Sequence, residues 1–158
     1  MVQKTNALRI LDQAKIAHQV YEYAVDEAHL DGVTAAQKLG KPMEMVYKTL
    51  VAKGAKGEHL VFVIPVAWEL DLKKAAKAVG EKSVAMIKMA DIQQVTGYIR
   101  GGCSPLGMKK KFRTVIDESA TMLPLMIVSA GKRGLQMELS PTDLATLCGA
   151  AFAPLCGD

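Results

Sequence analysis

Val46–Val66 reads VYKTLVAKGAKGEHLVFVIPV. Two apolar runs flank a short turn, Lys53–Glu58, that holds two glycines. Runs rich in β-branched and aromatic residues around such a turn predict a hairpin, Val46–Ala52 followed by His59–Val66. Both runs are apolar almost without a break, which predicts strands covered on both faces. Lys48 is the exception. It stands inside an apolar run and leaves two readings open: an edge-strand lysine facing water, or an ammonium facing a pocket, where it can hold a phosphate or a carbonyl oxygen.

Downstream, Asp71 is an N-cap for a helix in which Leu72, Ala75, Ala76 and Val79 share a face, with Gly80 just past its end. Lys73, Lys74 and Lys77 fall off that face. Ser83–Ile87 reads as a short strand and Met89–Val95 as a short helix stopped by Gly97. Upstream, Thr5 or Asn6 caps a helix carrying Ala7, Ile10 and Leu11 at helical spacing. His18–Tyr23 reads as a strand, Asp26–Gly32 as a loop, and Asp31 caps a second helix that ends at Gly40. Toward the C-terminus, Phe112–Ile116, Leu125–Val128 and Leu135–Leu139 read as strands, with Ser129–Gly134 as the tight turn between the last two. Ser140 caps a final helix with Pro141 in its first turn. Phe62 and Trp68 read as core. Strands alternating with helices, hairpins among them, predict a mixed sheet with helices packed around it.

The 158 residues fit one domain. Half are hydrophobic, and the net charge of +4 is a mild excess. Cys103, Cys148 and Cys156 are odd in number and lack C-x-x-C spacing, so neither a disulfide framework nor a zinc site is expected, and a reducing cytoplasm is. The first residues show no apolar signal segment, and the longest apolar run is too short to cross a bilayer. No H-E-x-x-H, G-x-S-x-G, P-loop or G-x-G-x-x-G occurs. Catalysis by metal, by a serine triad or by nucleotide hydrolysis is therefore not indicated, and no cofactor is expected.

Thr96–Arg113, TGYIRGGCSPLGMKKKFR, draws the most attention. No acidic residue occurs from Ile92 to Ile116. Gly101 and Gly102 let backbone approach a ligand closely, and their N–H groups can serve as an oxyanion-type site. The alternative is a plain turn. Lys109, Lys110, Lys111 and Arg113 follow, and Lys132 and Arg133 in the later turn extend the basic surface toward a polyanion. Cys103 has no base placed beside it in the sequence and reads as an ordinary small residue.

Four segments together, V-Y-K-T-L at Val46–Leu50, L-D-L-K-K-A-A-K at Leu70–Lys77, Thr96–Lys110, and V-S-A-G-K-R-G at Val128–Gly134, resemble the YbaK/EbsC proteins. These are free-standing relatives of the editing domain in bacterial prolyl-tRNA synthetase. The match runs in the same order over nearly the whole chain. The resemblance implies one editing domain over residues 1–158, of α/β (α+β) class, with a mixed, barrel-like sheet surrounded by helices. It implies a cytoplasmic deacylase that clears Cys-tRNA(Pro), with the acceptor end of tRNA as partner and prolyl-tRNA synthetase as a second. The alternatives are a deacylase for another mischarged tRNA, such as Ala-tRNA(Pro), and a non-catalytic tRNA- or synthetase-binding module. By the same resemblance Lys48, Gly101 and Gly102 are catalytic, and Tyr23, Thr49, Ser104, Pro105, Ser129 and Gly131 bind substrate. The family's frequent aspartate after the last turn is Gln136 here, so no carboxylate role carries over. The loop at His29–Gly32 also departs from the family.

Overall fold

The computed structural model describes residues 4–25, 28 and 30–157. His29 lies outside them. The elements run α1 (Asn6–Gln13), β1 (Gln19–Glu22), α2 (Gly32–Leu39), β2 (Tyr47–Gly54), β3 (His59–Pro65), α3 (Leu72–Val79), β4 (Val84–Met86), α4 (Ile92–Thr96), β5 (Arg113–Asp117), β6 (Met126–Lys132), β7 (Leu135–Leu139), α5 (Pro141–Cys148) and β8 (Ala151–Ala153).

The caps act as their residue types require. Thr5 accepts from the Leu8 N–H, Asp31 from Thr34, Asp71 from Lys73 and Lys74, and Ser140 from Asp143. Each satisfies amide groups that a helix start leaves without partners, worth about 1 kcal/mol apiece.

The strands form two sheets. One is β1-β7-β6, antiparallel throughout; the other is β4-β2-β3-β5-β8, in which β2 and β3 form the expected antiparallel hairpin while β5 runs parallel to β3 and β8 parallel to β5. A single parallel bridge, Val46 to Ile127, joins them. The mixed α/β architecture is as expected, and the strands are shared between two sheets that meet at that seam.

β3 is covered on both faces. Leu60, Phe62 and Ile64 pack with Ala75, Ala76 and Val79 of α3. Val63 joins Leu8 and Leu11 of α1, Met126, Val128 and Met137 of the small sheet, and Leu144 of α5. Ala36 of α2 closes over Val46, Val66 and Ile127 at the seam. Each large side chain buried this way contributes about 1.5–3 kcal/mol.

Three local expectations are corrected. Ser129–Lys132 continues β6 with a register shift between Ser129 and Lys132, so the tight turn shrinks to the residues just before Leu135. Trp68 is 50% exposed, because its backbone turns at Pro65 and leaves the sheet. Leu72 is exposed at the start of α3. No helix among the described residues is long and apolar enough to cross a membrane.

Candidate functional site

The seam opens a pocket. β4 pairs with β2 only at Ala52–Gly54, so at Lys48 and Thr49 strand β2 has β3 on one side and a gap toward β6 on the other. Into that gap fits a cavity of about 110 Å³. Lys48 and Thr49 form one wall, Ser129 and Gln136 of the small sheet another, and Gly101 and Cys103 a third; Tyr23 and the start of α2, Asp31 and Gly32, complete the rim. Lys48 is thus at a local strand edge, and its charge reaches Cys156 on the α3 side of the sheet. It stands where two sheets part.

Most polar groups around the pocket are already held. Gln136 donates from Nε2 to the Tyr23 hydroxyl at 3.4 Å. Ser129 Oγ accepts from the Gly131 N–H at 3.2 Å. Asp31 accepts from the Thr34 N–H at 2.8 Å and from its hydroxyl at 3.1 Å, which fixes the start of α2. Beyond α2, buried Glu138 accepts from the Tyr21 hydroxyl at 3.2 Å and lies 3.6 Å from Lys41. Bonding to Tyr21 and the charge of Glu138 keep the Lys41 ammonium above its usual range.

Other groups are not held. Thr49 Oγ1 is buried with no hydrogen-bond partner. A buried hydroxyl without a partner is uncommon and costs free energy until something bonds it. The half-buried Lys48 ammonium makes no hydrogen bond or ion pair among the described residues. Backbone N–H groups of Gly101 and Cys103 are likewise without a partner among the described residues. Hydroxyl and amide donors around a small cavity that Lys48 also lines suit a ligand rich in oxygen acceptors, and such donors can stabilise negative charge as it develops on a carbonyl oxygen.

The glycine-rich loop behaves differently from its sequence reading. Gly102 does not offer its N–H to the pocket; it donates to Ile99 O at 3.0 Å and closes a turn. Its need for glycine is steric, since an added Cβ would meet the backbone of Lys132 and Arg133 at 3.0 Å. Ser104 is fully buried, and its Oγ accepts from the Leu106 N–H at 3.3 Å. Pro105 faces Cys148, whose thiol donates to Pro105 O at 3.6 Å. Gly131 packs on the Tyr98 ring. Gly102, Ser104, Pro105 and Gly131 therefore shape the loop rather than line the pocket. Cys103 does line it, but burial pushes its thiol up to about 11, with a bond to Thr96 opposing, so it is protonated at neutral pH and no nucleophile.

The basic residues fall in separate places. Arg133 donates from Nε to Arg100 O at 2.7 Å and borders a small cleft with Tyr23 and Gly101, so it lies beside the pocket, while the Lys132 backbone packs on Gly102. Lys109 and Lys110 line a broad groove elsewhere, and Lys111 a hollow next to α5. Arg113, also exposed, donates to Val79 O at 2.7 Å at the end of α3. Asp31 and Gly32, in the loop that the resemblance implies as a pocket wall, do line it, while Val46, Tyr47 and Val66 were missed as pocket residues because they carry only an apolar strand signal.

Residues 28–147 match the model of the aminoacyl-tRNA editing domain. A protein of Enterococcus faecalis, EbsC, provisionally named a Cys-tRNA(Pro)/Cys-tRNA(Cys) deacylase, is 48% identical over 97% of this chain and 93% of its own length. The proline–tRNA ligase of Brachyspira hyodysenteriae is 24% identical over 83% of this chain, which corresponds to 23% of that ligase. A crystal structure provisionally described as a trans-editing enzyme for prolyl-tRNA synthetase superposes with a TM-score of 0.82 over 99% of this chain and 100% of that one, at 24% identity. The chain belongs to the aminoacyl-tRNA editing domain family, in the YbaK/EbsC group that its four sequence segments resemble.

Proposed function

We propose that this chain is a trans-acting cytoplasmic hydrolase that deacylates mischarged Cys-tRNA(Pro) in the seam pocket. The carrying observation is Thr49 Oγ1, buried and without a partner at a pocket that Lys48 also lines. A cavity of about 110 Å³ has room for three to four waters' worth of volume, at about 30 Å³ each, which suits a small side chain. Lys48 anchors a phosphate or hydroxyl of the terminal adenosine. Thr49 and the Gly101 N–H hold the ester carbonyl, and Lys132 and Arg133 meet nearby phosphates.

With no nucleophile–base pair among the described residues of the pocket, the attacking group comes from the substrate. The cysteine sulfur bonds to its own carbonyl carbon and the ester C–O bond breaks. The thiol proton goes to the departing ribose oxygen, and water then opens the thioester to free cysteine. Positioning and charge stabilisation are the protein's share. Proline and cysteine are close in size, a difference a synthetic pocket rejects weakly, so a second hydrolytic sieve has a purpose. Prolyl-tRNA synthetase is the partner that would supply tRNA selectivity.

Deacylation of purified Cys-tRNA(Pro), Ala-tRNA(Pro) and Ser-tRNA(Pro) tests the reading. Rapid loss of cysteine alone is expected. Serine released as fast as cysteine contradicts the substrate-thiol route, preference for alanine moves the specificity, and binding without turnover makes the chain a non-catalytic module.

A further inference from the structure

The seam pocket is smaller than a groove of about 680 Å³ at the other end of β2. That volume is within the range of cavities that enclose small organic ligands. Lys53 from β2, Lys88 from the segment after β4, and Lys109 and Lys110 line it, against the single carboxylate of Asp91. Lys109 donates to Gln94 O at 3.2 Å. Lys53, Lys88 and Lys110 are exposed and make no hydrogen bond or ion pair among the described residues. His59 and Phe112, both partly exposed, meet edge to face there with ring centroids 5.6 Å apart. Met86 adds apolar surface, 45% exposed.

Ammonium groups beside accessible rings are how proteins hold a single nucleic-acid strand without reading its sequence: charge follows the phosphates and bases stack on the rings. An acidic protein surface would use the lysines and leave His59, Phe112 and Met86 without a role. The groove is also placed for a strand that leaves the seam pocket. Lys53 lies on the same face of β2 as Thr49, four residues on, which is about 13 Å at the rise of a strand. The loop that brings Gly101 and Cys103 to the pocket brings Lys109, Lys110 and Phe112 to the groove.

We infer that this groove binds the single-stranded 3′ segment of the RNA, with Lys53, Lys88 and Lys110 on its phosphates and Phe112 with His59 as a stacking platform. The assignment rests on the proposed reading of the seam pocket as the seat of the aminoacyl ester.

Fluorescence anisotropy with a labelled single-stranded oligoribonucleotide ending in CCA, titrated across salt concentrations, tests it. Lys53→Gln/Lys88→Gln should weaken binding about tenfold and lower the slope of log affinity against log salt by about 1.4, at roughly 0.7 per lost phosphate contact. Phe112→Ala should weaken binding about tenfold with the slope unchanged, because stacking releases no counterions. Thermal melts establish that the variants are folded; the two lysines are exposed, so their pair tests the groove even where Phe112→Ala does not fold. Lys73→Gln/Lys77→Gln on the outer face of α3 changes the net charge equally and should leave binding within about twofold. An unchanged slope in the Lys53/Lys88 pair, an equal loss in the α3 pair, an unaffected, folded Phe112→Ala, or polyglutamate competing as well as RNA would overturn the assignment. Uncharged RNA has no ester, so the two readings fail separately. An active deacylase with an unaltered salt slope contradicts the groove alone; RNA bound in the groove with no charged tRNA hydrolysed contradicts the pocket alone.

Discussion

The Cα of Gly102 lies against the peptide that joins Lys132 to Arg133. A Cβ added at Gly102 would stand 3.0 Å from Lys132 C and Arg133 N and 3.1 Å from Lys132 Cα. Two loops that wall the seam pocket are thus packed backbone on backbone, and neither can yield by turning a side chain. Gly102→Ala should cost about 1–3 kcal/mol of stability, as overpacking does. It should also lower deacylation by moving Gly101 away from Thr49. Denaturant midpoints together with single-turnover rates check both effects, and a variant equal to wild type in both would show that the loops are not held by this contact.

Thr49→Val separates a ligand-binding hydroxyl from a structural one. Oγ1 bonds nothing in the free protein, so its replacement by a methyl of similar shape should leave stability within about 1 kcal/mol or raise it. The rate should fall roughly tenfold or more, for a bond made only to bound substrate. Loss of stability with an unchanged rate would assign the hydroxyl to the fold.

Alkaline pH should unfold the chain. Burial is the largest cause in each case: it raises Cys103 to about 11 and Cys148 and Cys156 to about 12, from an ordinary value of 9.0. Tyr98 is raised to about 12 from 10.0, and Tyr47 is raised as well. All these groups favour their protonated form in the fold, so their contribution is complete below pH 9 and is lost as pH climbs through 9 to 12. Denaturant midpoints should be level from neutral pH to about 9 and then drop. At pH 8, iodoacetamide should label Cys103 about a hundredfold more slowly in the native chain than in urea. Fast native labelling would mean an accessible thiolate and would reopen Cys103 as a nucleophile.

Much of the fold was legible because its signals are local. Asp71 before Leu72 and Gly80 after Val79 mark α3 whatever surrounds it, and the turn at Gly54–Gly57 marks the β2–β3 hairpin. β8 was missed because three residues, Ala151–Ala153, carry no pattern of their own and become a strand only by lying parallel to β5. The site was half legible. Lys48, Thr49, Gly101, Ser129 and Tyr23 do converge. Ser104 and Pro105 sit in the same motif as Gly101 yet turn into the core, because the Gly102 N–H is taken by Ile99 and the chain folds back under itself. Adjacency in a loop does not determine which groups face the same space. The groove was invisible as a unit, since Lys53, Lys88 and Lys110 come from separate elements joined only by the packing of β4 and α4 around β2.

The seam pocket as the place where the ester is cleaved is tested most directly through Lys48, which lines it. Single-turnover deacylation of Cys-tRNA(Pro) should be compared between wild type and Lys48→Ala, with equal melting temperatures as the condition for comparison. A charged anchor of this kind contributes about 1.5–3 kcal/mol, so the rate should drop about 10- to 100-fold. Full deacylation activity in Lys48→Ala would contradict the account and place the chemistry elsewhere on the chain.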